Sequence, residues 1–402
     1  MIDRVAIARV DPACYSTVGI NAAVRELFDR LGMDAKNPLG ELLQPGQTVV
    51  LKPNFVAHRN RSGGNLYAVI THPSIIRAIA DYCYIALKGK GRIIVADAPQ
   101  YDCNWQHLMD STGMPQVAAR YGGAMELLDL RSYWSRGRHV ASQLEPLPGD
   151  PKGTVWVDLG DDSAFTGLDA SGLYGACYWH EDLARHHRAR HHEYALSRTV
   201  LEADLVINLP KLKTHKKTGV TLNAKNLVGI CTDKNCLPHY RLGPPSEGGD
   251  QYPDGLFKPY ERALIGLERW MYDHLLAPQV RALEYLHRAI YWLHNHTTRR
   301  LGLKVDEAKR ALDAGNWYGN DTAWRMVADI NAAFDRERKG RTFSIVDGVI
   351  GGEGNGPLAP DAIKSGLLIA GEDWAAVDKV ATQTMLRCSF RPHPGWIGRG
   401  TI

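Results

Sequence analysis

The first 130 residues alternate between short β-branched runs and segments with helical spacing, and this alternation constrains the fold more than any other feature of the chain. The runs at 48–55 and 92–99 are typical of buried strands, whereas residues 20–31 and 73–87 have the apolar spacing of amphipathic helices. Strands that alternate with helices in this way form a parallel sheet with helices packed against it. The sequence therefore predicts an α/β fold with a parallel, Rossmann-like sheet flanked by helices.

The pattern changes at residue 258. From 258 to 340 apolar residues recur at three- and four-residue spacing, which predicts long helices, and the strand signal then returns. We interpret 1–257 as the first part of the α/β core, 258–340 as a helical insertion or subdomain, and 341–402 as the final strands and helix of the core.

Composition and charge limit which kind of protein this is and which partners are expected to bind it. The 402 residues carry a formal charge of only +4, from 48 basic and 44 acidic side chains, so nucleic acid is not an expected partner. We expect no leader peptide and no membrane span, because no apolar run of about 18 residues occurs. The seven cysteines form no CxxC pair. We therefore expect a cytoplasmic protein with reduced thiols and no iron–sulfur cluster held by its own cysteines.

The segment 205–229 carries the strongest signal for a functional site. A buried-strand pattern stops at Pro210, and a run of basic side chains follows at once: Lys211, Lys213, His215, Lys216 and Lys217. Ligands in parallel sheets lie at the carboxyl ends of the strands, and clustered lysines there favour an anion. We predict that Lys211, Lys213 and Asn226 bind a small anionic molecule. The alternative is a solvated basic loop followed by an ordinary helix.

Two residues of this segment could carry the chemistry. Neighbouring lysines should hold His215 in its neutral form, which suits acid/base catalysis near neutral pH. Lys225 is flanked by apolar residues, so we expect burial to lower its pKa. We therefore predict His215 and Lys225 as the catalytic residues.

Further polar residues follow other predicted strands. Lys52 and Asn54 come after the strand at 48–55, and we predict that they contact the substrate. The glycine-rich stretch 346–357 could bring backbone amides close to an anion, so Gly354, Asn355 and Gly356 are predicted to contact it as well. The carboxylates of Asp97, Asp347 and Glu353 are hard oxygen ligands, and a divalent metal is left open as a cofactor. The alternatives are a turn cap for Asp97 and a long turn for the glycines.

Two other stretches are less specific. Five histidines lie between residues 180 and 192, but the interleaved arginines would repel a metal ion, so a surface helix is predicted there. Residues 235–255 are rich in glycine and proline and are predicted to form a long loop. This loop, which includes His239, could close over the site or serve as an exposed connector.

The segments LKPNF, RIIVADAP, NLPKLKTHKKTGVTLNAKNLVG, DGVIGGEGNGP and AGEDWAAVDKVA resemble the bacterial and archaeal family called domain of unknown function 362. The resemblance covers most of the chain outside 258–340. It implies a fold rather than a particular reaction. Many members of that family carry a ferredoxin-like cysteine module, which this chain lacks.

A weaker resemblance rests on the spacing of His215 and Lys225, which is similar to an element of the nickel-pincer lactate racemase group. That similarity implies an acid/base role for His215 and attachment of a cofactor or substrate to Lys225. Asn223 and Ala224 stand where that group has a glycine pair, so the resemblance implies a shared site architecture rather than the nickel cofactor.

These observations favour an enzyme with isomerase- or racemase-like acid/base chemistry on a small anionic substrate such as a hydroxy acid, a sugar acid or a phosphorylated metabolite. One alternative is a magnesium-dependent enzyme that binds a nucleotide or phosphate. Another is a non-catalytic scaffold protein that uses the tryptophans of the helical region as an interface. The sequence does not identify a cofactor, and it is compatible with a homo-oligomer.

Overall fold

The computed structural model describes residues 4–11, 13–135, 144–169, 172–175, 180–274, 309, 311–388 and 390–392. The described strands are β1 Ala6–Arg9, β2 Thr48–Pro53, β3 Arg92–Asp97, β4 Met125–Asp129, β5 Tyr133–Trp134, β6 Glu145–Pro146, β7 Thr154–Asp158, β8 Leu173–Tyr174, β9 His187–Arg188, β10 His191–Ser197, β11 Leu205–Leu209, β12 Lys211–His215, β13 Gly219–Val220, β14 Tyr240–Arg241, β15 Arg341–Glu353, β16 Asp361–Ile363 and β17 Leu367–Gly371. The described α-helices are α1 Thr17–Leu31, α2 Pro73–Ala86, α3 Trp105–Thr112, α4 Met114–Ala119, α5 His180–His186, α6 Arg198–Leu201, α7 Leu222–Asn226, α8 Pro259–His274, α9 Thr322–Glu337 and α10 Trp374–Arg387.

A central sheet organises the molecule, with the strand order β1–β17–β15–β11–β2–β3–β4. The five strands β15, β11, β2, β3 and β4 pair in parallel. At one edge β17 and β1 pair antiparallel to their neighbours. The predicted α/β fold with a largely parallel sheet is therefore confirmed.

Helices cover both faces of this sheet. On β2, Val49 and Leu51 belong to the core cluster that includes residues of α1 and α2, whereas Val50 belongs to the cluster that includes residues of α9. Successive strand residues point to opposite faces, so a strand with apolar residues at every position is buried on both sides. Each such side chain contributes about 1.5–3 kcal/mol through burial.

The chain returns to this sheet after the predicted helical region, because β15 pairs with both β11 and β17. Helices α8 and α9 belong to that region, while residues 275–308 and Arg310 lie outside the described part of the chain. The division into domains stays a prediction. None of the described helices is long and apolar enough to cross a membrane.

The prediction of a surface helix over the histidine-rich stretch is wrong beyond His186, where α5 ends. The chain then forms the β9–β10 hairpin, which turns at Ala189 with a φ of 44°. His187 and His192 are buried in it and their Nδ1 atoms lie 3.2 Å apart. Pairing of β10 with β7 along five residues explains the difference, because long-range strand pairing overrides local helical spacing.

Candidate functional site

Strand β12 positions the basic side chains of the site. Pro210 separates it from β11, and the Pro210 carbonyl accepts a hydrogen bond from the Asp347 amide at 2.9 Å. Lys211, Lys213 and His215 occupy alternate positions of β12 and therefore project from the same face. All three side chains are buried. The solvated basic loop that the sequence left open is therefore not what forms here.

Lys211 is neutralised by a carboxylate. Its Nζ lies 2.9 Å from Asp347 Oδ2 and donates to the Tyr15 hydroxyl at 2.7 Å. The Tyr15 hydroxyl in turn donates to Asp347 Oδ1 at 2.9 Å. The His72 ring stacks on the Tyr15 ring with 3.7 Å between their centroids. Lys211 is thus held in a closed network that ties β12 to β15.

Lys213 is fully hydrogen-bonded but is not matched by a carboxylate among the described residues. Its Nζ donates to Asn54 Oδ1 at 2.9 Å, to the Val69 carbonyl at 2.6 Å and to the Pro357 carbonyl at 3.2 Å. Three acceptors match the three donors of an ammonium group. Burial nevertheless lowers the pKa of Lys213 well below its ordinary value, and the Lys211 and Lys225 ammonium groups lower it further.

A second ion pair lies at the ends of β2 and β3. Lys52 Nζ is 2.9 Å from Asp97 Oδ1, and both side chains are buried. The amide of Asn226 joins this pair to the neighbouring strands. Its Oδ1 accepts from Asn54 Nδ2, and its Nδ2 donates to Asn208 Oδ1, each at 2.7 Å. The predicted residues Lys52, Asn54, Asp97 and Asn226 are thus in one hydrogen-bonded group.

Two further lysines complete what we call the lysine cluster, which consists of Lys52, Lys211, Lys213, Lys225 and Lys234. The Lys234 ammonium donates to the Val228 carbonyl at 2.9 Å. Lys225 lies at the end of the short helix α7 and keeps partial access to solvent. No described residue forms a hydrogen bond or an ion pair with its side chain. Burial lowers the pKa of Lys225 to about 8, and the Lys234 ammonium contributes to this shift.

His215 has a defined tautomer. Its Nδ1 accepts hydrogen bonds from the backbone amides of Lys217 at 3.1 Å and Thr218 at 3.2 Å. A nitrogen that accepts carries no hydrogen, so the neutral ring carries its proton on Nε2. Burial holds the pKa of His215 well below its ordinary range, and the Lys225 ammonium is the next largest cause. His215 is therefore a neutral ring whose Nε2 is a hydrogen-bond donor.

The glycine-rich stretch packs against β12. The Gly354 amide donates to the Arg391 carbonyl at 2.8 Å and the Gly356 amide donates to the Gly354 carbonyl at 2.9 Å, while Asn355 is exposed. A Cβ atom at Gly356 would overlap with the carbonyl oxygen of Thr214. These glycines allow two backbone segments to approach closely, and their amides already have partners within the protein.

The three carboxylates predicted as metal ligands lie apart. Asp97 pairs with Lys52, Asp347 pairs with Lys211, and Glu353 pairs with Arg391 at 2.7 Å. Within the described ranges no group of three or more His, Cys, Asp and Glu side chains is arranged to hold a metal ion. In this arrangement Asp97 and Asp347 act as counter-ions for lysines, and the metal site stays a prediction.

Several residues of the site had weak or no signals in the sequence. Tyr15 precedes α1, and Asp347 lies 332 residues further along the chain, so no local pattern joins the two. Lys234 stands alone among polar residues of the loop after α7. Asn208 had the clearest signal, because a polar residue near the end of a buried strand is unusual unless it contacts a ligand or another polar group.

Comparisons with known proteins identify the family. The chain is 22% identical over 374 residues to a thylakoid-associated protein of Synechocystis, and the alignment covers 92% of this chain and 71% of that protein. A crystal structure of a Thermotoga maritima protein is similar with a TM-score of 0.35 at 10% identity, covering 92% of this chain. The chain spans 59% of the length of that structure. The model of the family described as Domain of unknown function (DUF362) matches residues 49–144 and 166–383, more than half of the chain, and the chain belongs to this family.

Proposed function

We propose that the lysine cluster binds a small anionic metabolite and that the protein is an enzyme acting on that molecule. One observation carries the proposal: in the described part of the site, four buried lysines and the half-buried Lys225 have only two carboxylates within ion-pair distance. Asp97 and Asp347 neutralise Lys52 and Lys211. Lys213, Lys225 and Lys234 have no described carboxylate partner at that distance.

Electrostatics explains why an anion belongs in such a site. A buried ammonium group without a counter-ion costs several kcal/mol in lost hydration. Burial is the largest cause of the lowered pKa of each of the three unmatched lysines. A bound carboxylate or phosphate would supply the missing negative charge, raise these pKa values and offset the cost of desolvation.

Position supports the same proposal. The cluster lies where parallel strands β2, β3 and β11 end, which is the edge of an α/β sheet where ligands bind. Partial exposure of Lys225 provides access to solvent. We therefore infer that the anion contacts Lys225, with Lys213 and Lys234 supplying longer-range positive potential.

The residues around Lys225 suit acid/base chemistry. His215 offers a neutral Nε2–H group, and a neutral imidazole in a dry site can stabilise a developing oxyanion by hydrogen bonding. With a pKa of about 8, Lys225 is mainly protonated at neutral pH but has a minor fraction of free amine. That amine could form a covalent bond to a carbonyl compound or hold a cofactor. The substrate class in this proposal is a hydroxy acid, a sugar acid or a phosphorylated metabolite.

Native mass spectrometry of freshly purified protein, combined with elemental analysis, tests the proposal. We expect a co-purifying anion with a mass below that of a nucleotide, and its loss in the Lys225→Met variant. The Lys90→Met variant is the matched control, because Lys90 is exposed and lies outside the site. A protein that carries no anion, and that gains none when incubated with phosphate or oxalate, would refute it.

A further inference from the structure

A continuous chain of hydrogen bonds leads from the Lys213 ammonium towards the carboxylate of Asp378, which lies on helix α10. Lys213 Nζ donates to Asn54 Oδ1 at 2.9 Å, and Asn54 Nδ2 donates to Asn226 Oδ1 at 2.7 Å. Asn226 Nδ2 then donates to Asn208 Oδ1, also at 2.7 Å. All three asparagines are buried. The first half of the chain therefore consists of three side-chain amides.

One peptide group of α7 completes the chain. Asn208 Nδ2 donates to the carbonyl oxygen of Asn223 at 3.2 Å, and the N–H of the same peptide group, which belongs to Ala224, donates to Asp378 Oδ2 at 2.9 Å. The backbone amide and the side-chain Nδ2 of Asn223 both donate to Asp378 Oδ1 at 2.8 Å. We call the three side-chain amides and this peptide group the amide chain.

Both ends of the amide chain impose the same direction on it. At the α7 end a peptide oxygen can only accept, so Asn208 must turn its Nδ2 towards that oxygen. At the other end an ammonium group can only donate, so Asn54 must turn its oxygen towards Lys213. Side-chain amide orientations are assigned from such bonds, and here the two ends agree. Every amide thus accepts from the Lys213 side and donates towards Asp378.

The common direction of the amides links two opposite charges. Each amide points its oxygen towards the cation and its N–H group towards the anion, and hydrogen bonds in such a chain strengthen one another. Burial raises the pKa of Asp378 to about 6, so this carboxylate is mainly ionised at neutral pH. Among the described residues Lys213 has no carboxylate within ion-pair distance. Asp378 supplies the negative charge at the far end of its hydrogen-bond chain.

Asp378 also holds helix α7 in place. The helix begins at Leu222, whose φ of 40° lies in the left-handed region that a leucine rarely adopts. The residue before it, Thr221, makes no side-chain capping hydrogen bond. The carboxylate of Asp378 accepts from the free amides at this end of the helix instead, from 155 residues further along the chain. Lys225 and Asn226 lie on the same single turn and are placed with it.

We propose that Asp378 is a positioning residue for the anion site. Through the amide chain it holds the Lys213 ammonium group in the lysine cluster, and through α7 it fixes the backbone that carries Lys225. This inference rests on the proposed function and adds to it a residue that contacts neither lysine.

Calorimetric titration with oxalate tests the proposal. Asp378→Asn removes the charge and leaves one oxygen for three N–H donors, while Asn208→Leu breaks the chain in its middle. Each should weaken oxalate binding by about three- to thirtyfold, the range for residues that act through a network. Glu372→Gln removes a negative charge at an exposed position just before α10 and should bind as the wild type does.

The double variant distinguishes a shared chain from two separate structural effects. Either substitution interrupts the same chain, so Asp378→Asn combined with Asn208→Leu should weaken binding far less than the product of the two single effects. Multiplicative losses would overturn the proposed chain. Equal affinity of Asp378→Asn and the wild type would overturn the positioning role and leave the anion site intact. If neither oxalate nor phosphate binds the wild type, the anion site fails and this inference fails with it.

NMR of the wild type with isotope-labelled asparagine tests the chain without any substitution. Scalar couplings across hydrogen bonds should join Asn54 Nδ2 to Asn226 Cγ and Asn226 Nδ2 to Asn208 Cγ. A reversed amide at any of these three residues would refute the chain. In Asp378→Asn the amide proton resonances of Asn54 should move upfield because the chain is less polarised. Unchanged resonances there would show that Asp378 acts on α7 alone and would overturn its role towards Lys213.

Discussion

Lys211 and Asp347 form an ion pair of 2.9 Å in which neither side chain is exposed to solvent. The Tyr15 hydroxyl bridges the two groups, accepting from Lys211 and donating to Asp347, so the pair is hydrogen-bonded as well as buried. A pair of this kind holds β12 against β15, its neighbour in the sheet, and so helps to place the other side chains of β12. Its removal should therefore affect folding before it affects any ligand.

The Asp347→Asn variant tests this structural role. The substitution leaves the Lys211 ammonium buried without a counter-ion, which should reduce the free energy of unfolding by about 3–5 kcal/mol. Asp361→Asn is the control, because Asp361 forms an exposed pair with Arg391. Its loss should cost no more than about 1 kcal/mol. Equal effects of the two substitutions in urea denaturation would contradict the proposed role.

Gly229 should not tolerate a side chain. A Cβ atom there would overlap with Asp97 Oδ1 and lie 2.6 Å from Lys52 Nζ, so Gly229→Ala must displace the buried ion pair. We expect a loss of about 2–4 kcal/mol, in the range for overpacking combined with disruption of a buried pair. At Gly266, in helix α8, a Cβ atom meets nothing within 4 Å. Gly266→Ala should therefore be neutral or slightly stabilising in the same thermal or urea denaturation assay.

The two nitrogen atoms of His215 can be tested separately. An asparagine at this position offers an amide oxygen that can accept from Lys217 and Thr218, as Nδ1 does, but it lacks the Nε2–H group. His215→Asn should therefore fold with nearly native stability. His215→Leu leaves two buried amides without an acceptor and should lose about 1–3 kcal/mol. If leucine is tolerated as well as asparagine, the Nδ1 hydrogen bonds do not fix this ring.

Lys225 should make stability depend on pH. Its pKa is lowered to about 8 by burial and by Lys234, so in the absence of ligand its ammonium opposes folding below pH 8. This cost disappears as the pH rises from 8 towards the ordinary lysine value of 10.5, because the folded protein releases the proton first.

The difference in unfolding free energy between wild type and Lys225→Met isolates this effect from other titrating groups. We expect the variant to be more stable by about 2 kcal/mol at pH 7, allowing for the partial exposure of the side chain, and the gap to narrow by pH 10. A gap that widens with rising pH would show that the pKa of Lys225 is not lowered. Saturating oxalate should reduce or reverse the gap at pH 7.

The sequence predicted the parts of the fold that depend on local pattern. Buried runs ending in Lys52, Asp97 and Asn208 are strands, and they end at the same edge of the sheet because parallel strands share their direction. The helix predicted over the histidine-rich stretch is wrong because the structure there depends on residues that are distant in sequence. The β9–β10 hairpin depends on pairing with β7, which lies far away along the chain.

The sequence predicted where the site lies in the fold, but it did not predict which of its residues pair with each other. Strand ends and clustered lysines indicated where charged groups meet, yet only the folded chain shows that Asp97 and Asp347 serve as counter-ions. The glycine-rich stretch could be interpreted in two ways. Close approach of the chain to an anion and close approach to another backbone segment both require a residue without a side chain. At Gly356 the neighbour is the backbone of Thr214.

Isothermal titration calorimetry with oxalate and with inorganic phosphate, at neutral pH and low ionic strength, tests the central claim most directly. Wild type and Lys90→Met should bind at least one of these anions with a stoichiometry of one. Lys225→Met should bind it at least about tenfold more weakly, which corresponds to about 1.4 kcal/mol, and added salt should weaken binding to the wild type. Absence of binding to the wild type, or equal affinity of Lys225→Met and Lys90→Met, would contradict an anion site built on the lysine cluster.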